Sequence, residues 1–155
     1  MKKIIFLLLP ILVLLGGCSQ ASEKVTDLES IQARIAQSTE LAKLQRADED
    51  FVSSNFGSLD FVQSSAVYFS DRGDEIGLFL LQNAKRESEM RSRIEQYLES
   101  ERAAVSSLAA LYPADELKQR LVRFDRAEIG TVGTLVYYFL LDDPLREDAN
   151  SIIGR

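Results

Sequence analysis

The chain has 155 residues, 18 of them basic and 24 acidic, with 46% apolar residues, one Cys and no His. That length fits one domain, and the apolar share excludes wholesale disorder. The missing His excludes His-based triads and proton shuttles, the single Cys excludes an internal disulfide or a Cys-rich zinc site, and the formal charge of −6 argues against a nucleic-acid footprint.

Met1-Lys2-Lys3 is a short cationic start, followed by an apolar run from Ile4 to Leu15. Twelve residues span roughly 18 Å as a helix, short of the ~30 Å hydrocarbon core of a bilayer. The run therefore has the length of a signal-peptide core and not of a permanent span. It ends at Leu15-Gly16-Gly17-Cys18, which holds the chain's only Cys. This segment resembles the bacterial lipoprotein class, whose lipobox is an aliphatic residue, two small residues and Cys. The resemblance implies that Leu15, Gly16 and Gly17 are read by a signal peptidase and that residues 1–17 are removed. It also implies that Cys18 carries acyl chains, and two or three chains exceed what stable anchoring needs. Ser19 follows in place of Asp, which by analogy with enteric-type bacteria points to the outer membrane, periplasmic face. A lipid anchor on the cytoplasmic membrane is the alternative. The resemblance covers residues 1–19 only.

Residues 18–24 read as the lipidated Cys and a polar tether, 25–142 as a single mostly helical domain, and 143–155 as a polar tail. Without residues 1–17 the chain keeps 16 basic and 24 acidic residues, two prolines and six glycines. Few breakers and abundant Ala, Leu, Glu, Arg and Gln predict a mainly α fold. Thr26-Asp27-Leu28-Glu29 has the pattern of a capping box, starting a helix expected to reach about Asp48. Asp48-Glu49-Asp50 then reads as an exposed helix end. Ser58 is a plausible N-cap for Leu59, Val62, Ala66 and Phe69 at helical spacing, although Ala66–Phe69 also suits a strand. Asp71-Arg72-Gly73-Asp74 predicts a turn, and Ile76–Leu81 is ambiguous between strand and helix.

The strongest periodicity runs from Asn83 to Leu111. Met90, Ile94, Tyr97, Ala104, Leu108 and Leu111 share a seam, with Glu101 filling the one missing place. Glu87–Arg91 and Glu89–Arg93 are i,i+4 pairs in the favourable order. Tyr112-Pro113 ends this helix, and Pro113, Asp115 and Glu116 suit the next start. Leu117, Leu121 and Phe124 make a further stripe. Thr131–Leu141 has the strongest β-propensity and reads either as a buried strand or as a central helix. The expected architecture is a small helical domain on a long helix at about 83–111, with room for a minor β element at about 66–81 and 131–141.

Few patterns suggest chemistry. Asp71, Asp74 and Glu75 could gather a cation but lack the ladder of a calcium loop, so a solvated acidic turn is preferred. Arg72-Gly73-Asp74 is turn chemistry before it is an adhesion motif. No GxSxG elbow or phosphate-binding glycine loop is present. These observations imply neither a cofactor nor a metal. The leading expectation is a non-enzymatic scaffold or adaptor for an envelope protein partner in assembly, secretion or exclusion, with Arg91, Arg93, Tyr97 and Glu101 as the candidate partner surface. The alternative is a ligand-binding or hydrolytic domain using the Tyr137–Asp143 region. An exposed apolar surface on the long helix favours the first, and an enclosed pocket lined by Tyr137, Tyr138 and Asp142 the second.

Overall fold

The computed structural model of the protein describes residues 27–154. Residues 1–26, on which the expected leader, lipobox, lipidated Cys18 and tether fall, lie outside the described residues.

Helix α1 spans Leu28–Gln37, with Asp27 as its N-cap accepting from the Glu29 N–H at 3.1 Å. It is shorter than expected because Ser38 redirects the backbone. The Ser38 hydroxyl accepts from the Leu41 N–H at 3.1 Å and donates to Asp148 Oδ2 at 2.7 Å, competing with helix continuation. A 3₁₀ turn over Leu41–Lys43 and a two-residue strand β1, Gln45–Arg46, follow. Asp48 opens helix α2, Glu49–Phe56, by accepting from the Phe51 N–H at 2.7 Å. The acidic triplet 48–50 is thus a helix start, where carboxylates complement the dipole, and not the unfavourable end expected from sequence.

The remaining order is β2 (Val62–Phe69), β3 (Glu75–Leu81), α3 (Glu87–Leu111), α4 (Asp115–Asp125), β4 (Glu128–Val132), β5 (Leu135–Leu140) and α5 (Asp143–Ile153). Two hairpins, β2–β3 and β4–β5, and the short β1 form one antiparallel sheet in the order β1-β2-β3-β5-β4. α1 and α5 cover one face through Leu28, Ile31, Ile35, Ala149, Ile152 and Ile153. α2, α3 and α4 cover the other through Phe56, Met90, Ile94, Tyr97 and Phe124.

The mainly α expectation is therefore corrected: among the described residues, five helices enclose a five-stranded antiparallel sheet that runs through the centre of the fold. β3 and β5 are covered on both sides, so they read as continuous apolar runs and lose the alternation that marks a half-exposed strand. In β2 a register shift between Val62 and Ser64 breaks the two-residue period and leaves apolar residues at helix-like intervals. The segment after Asp142 is also part of the domain and not a polar tail. Pro144 fits the first turn of α5, and Arg34 donates to the Ile152 and Ser151 carbonyls, fastening α5 to α1.

Two glycines let the sheet close. Gly77 faces Tyr138 and Gly130 faces Tyr137 across neighbouring strands. Each aromatic ring lies over its glycine, where a Cβ would overlap the ring atoms.

Candidate functional site

α3 carries all four residues of the expected partner surface, and the structure divides them. Arg91 lies half-buried with Nη2 3.4 Å from the Ile129 carbonyl of β4. Arg93 turns the other way, donating to the Phe56 carbonyl at 2.8 Å, to the Ser58 carbonyl, and to Glu89 Oε1 at 2.8 Å. Its guanidinium also lies over the Phe61 ring. Arg93 therefore satisfies carbonyls left open at the C-terminal end of α2, a fastening role. Of the two expected ion pairs, Glu89–Arg93 forms, whereas Glu87 accepts from the Thr131 hydroxyl at 2.8 Å.

Tyr97 is buried and Glu101 half-buried. With Arg93 they line one wall of a cleft of about 500 Å³, opposite Ser54, Asn55 and Gly57 at the end of α2. Beneath this wall lies Glu75, at the start of β3. Its Oε1 accepts from the Tyr97 hydroxyl at 2.8 Å and from the Tyr138 hydroxyl. Burial pushes the Glu75 carboxyl above its usual range, against the lowering effect of the two hydroxyls, while Glu101 raises it and Arg120 lowers it further. Burial and the adjoining Glu75 push the Tyr97 and Tyr138 hydroxyls well up, so both remain donors.

A second charged cluster ties the β2–β3 turn to α4 and α5. Among the described residues, Asp74 and Arg123 are the buried charged side chains, at 2% and 7% exposure. Arg123 Nε lies 3.3 Å from Asp74 Oδ1, its Nε and Nη2 grip Asp142 at 3.0 and 2.8 Å, and Nη1 donates to the Arg72 carbonyl at 2.8 Å. The Arg123 hydrogen bonds, opposed by partial burial, hold the Asp142 carboxyl below its usual range. Asp74 Oδ2 accepts from the Ser70 hydroxyl at 2.8 Å, and Gly73 supplies the positive φ of the turn.

The chain matches no family model, no curated protein and no solved structure. The arrangement must therefore be read from its own chemistry.

Tyr137 and Tyr138 point to opposite faces of the sheet, and Asp142 is engaged by Arg123, so these three do not line a common pocket. Asp71, Asp74 and Glu75 do not converge either: Asp74 turns to Arg123 and Glu75 to the tyrosines. Among the described residues no three Asp, Glu, Cys or His side chains gather as a metal site.

What α3 does present is apolar. Its first half packs on the sheet. Beyond Leu98 only Val105 is buried, while Leu108 and Leu111 are 45% and 74% exposed. Tyr112 and Val122, in the following turn and in α4, are 67% and 53% exposed. Leu108 and Leu111 belong to the seam read from the sequence, which runs on past the part of α3 that packs on the sheet. The role of Arg123 was hidden because it lies to the side of the Leu117–Leu121–Phe124 stripe, where a charge ordinarily means solvent. Its neighbours at Asp74 and Asp142 are distant in sequence.

Proposed function

We propose that the chain is a membrane-anchored periplasmic lipoprotein acting as a non-enzymatic scaffold or adaptor, held by acyl chains on Cys18 at the outer membrane. Its partner is an envelope protein that covers the outer half of the α3–α4 pair. The observation that carries this reading is the exposure of Leu108, Leu111, Tyr112 and Val122 in that half. Exposed apolar residues that share a face mark contact sites, and Leu108, Leu111 and Tyr112 stand three and four residues apart at the end of α3. Tyr112 adds a rigid aromatic with a polar end, a side chain favoured at interfaces. Anchoring confines this surface to the plane of the membrane and raises its effective concentration toward a membrane-bound partner.

Site-specific photocrosslinking in intact cells tests the proposal. A crosslinker at Leu111 should give an adduct of discrete mass, absent with the crosslinker at Glu147 on α5 and lost or much weakened by Cys18→Ala. No adduct from either Leu111 or Tyr112, at normal protein level, would contradict the proposal.

A further inference from the structure

β1 pairs with β2 only at Phe69 and Tyr68, and the Ala47 N–H adds one bond to the Val67 carbonyl at 2.8 Å. The chain then leaves the sheet, because Asp48 caps α2. Among the described residues, no strand lies beside β2 from Val62 to Ala66 on this side. That stretch offers about 16 Å of edge. Backbone groups of an antiparallel strand alternate in direction, so the Val67–Ala47 bond places the N–H and C=O of Ser65 on the vacant side.

Two troughs flank this edge and share Arg46, Gln63, Ser64 and Ser65 as their floor. The one beneath α2, about 510 Å³, has Val52, Leu59 and Val62 in its wall. The one beside the start of α1, about 390 Å³, is polar and bordered by Asp27 and Glu29. Asp48 and Glu49 stand at the end of the first, so four carboxylates surround the edge against the single guanidinium of Arg46.

We propose that this edge binds an extended segment of a partner protein as an added antiparallel strand, with small apolar side chains on one side and Lys or Arg on the other. Backbone bonds at Ser65 set the register. Val67 packs in the α2–α4 core and Ala66 in the α1–α5 core, so alternate side chains of the added strand fall to opposite troughs. The apolar set enters beside Val52 and Leu59, and the cationic set meets Asp27 and Glu29. This surface is separate from the α3–α4 end and needs no lipid on Cys18.

The test titrates the full chain into a labelled octapeptide alternating Lys and Val, against a Glu–Val octapeptide and a Lys–Val octapeptide rearranged into blocks. The alternating cationic peptide should bind at least about tenfold more tightly than either. Ser65→Pro removes the outward N–H without touching the β2–β3 ladder, and should weaken binding about tenfold, the upper range for one backbone hydrogen bond. Glu29→Lys with Glu49→Lys, on exposed positions, should also weaken it, and the Ser65 amide should exchange more slowly in the complex. Equal binding of the block peptide, unchanged affinity in Ser65→Pro, or unchanged Ser65 exchange overturns the proposal. So does a dimer that Ser65→Pro converts to monomer, which assigns the edge to a second copy. A tenfold gain in affinity on deleting residues 19–24 would likewise overturn it, by assigning the edge to the chain itself.

Discussion

Replacing Arg123 by Met tests whether the buried charge cluster holds the sheet's end to α4 and α5. The substitution keeps most of the side chain's length and removes the guanidinium that faces Asp74 at 3.3 Å. Asp74 is 2% exposed, and its Oδ1 has no hydrogen bond, so losing Arg123 strands a charge away from water. Breaking a buried pair from one side costs about 3–5 kcal/mol. Asp142 is more than half exposed in its side chain and adds little when released. The expected loss is therefore about 3–5 kcal/mol, or a fall in Tm of about 10–15 °C. Urea unfolding measures it, and Asp74→Asn in the Arg123→Met background should restore most of the loss. A loss under about 1 kcal/mol, or no recovery in the double variant, would contradict this role for Arg123.

Three further outcomes follow from the same geometry. Gly77→Ala drives a Cβ into the Tyr138 ring inside a strand held on both sides, and should cost at least about 3 kcal/mol in urea unfolding. Gly130→Ala should cost less, because β4 is an edge strand and can shift away from Tyr137; equal losses would contradict this. Glu75 has a raised folded-state pKa, so its contribution to stability is present at low pH and declines as pH rises through that value. Glu75→Gln should accordingly gain stability relative to the parent from pH 4 to pH 8, whereas parallel curves would argue against a buried, proton-favouring carboxyl.

The two α-helices most legible in the sequence were those with one-sided patterns. α3 begins at Glu87 and ends at Leu111, inside the expected 83–111, and α4 has Asp115 and Glu116 in its first turn as expected but starts two residues after Pro113. The sheet was harder to read because its signals were masked by its own burial. Ile76–Leu81 and Leu135–Leu141 lack alternation when both faces are covered, so period alone left strand and helix open. Ser38, whose hydroxyl ends α1 early by bonding Leu41 and Asp148, is one polar residue inside the span expected to be helical to about Asp48. At the candidate site, Tyr97 and Glu101 do share a cleft wall, but Arg91 and Arg93 point apart and bond to backbone carbonyls. Helical spacing places residues on a face; it does not show which of them the neighbouring strands and loops will engage.

The proposed scaffold role depends on an anchor at Cys18 that holds the domain at a membrane. The most direct measurement is the intact mass of the protein extracted from membranes, with fragmentation of its N-terminal peptide. The expected result is a chain beginning at Cys18 whose sulfur carries diacylglycerol and whose amine is acylated. A chain that keeps residues 1–17, or one with an unmodified Cys18 thiol, would contradict it.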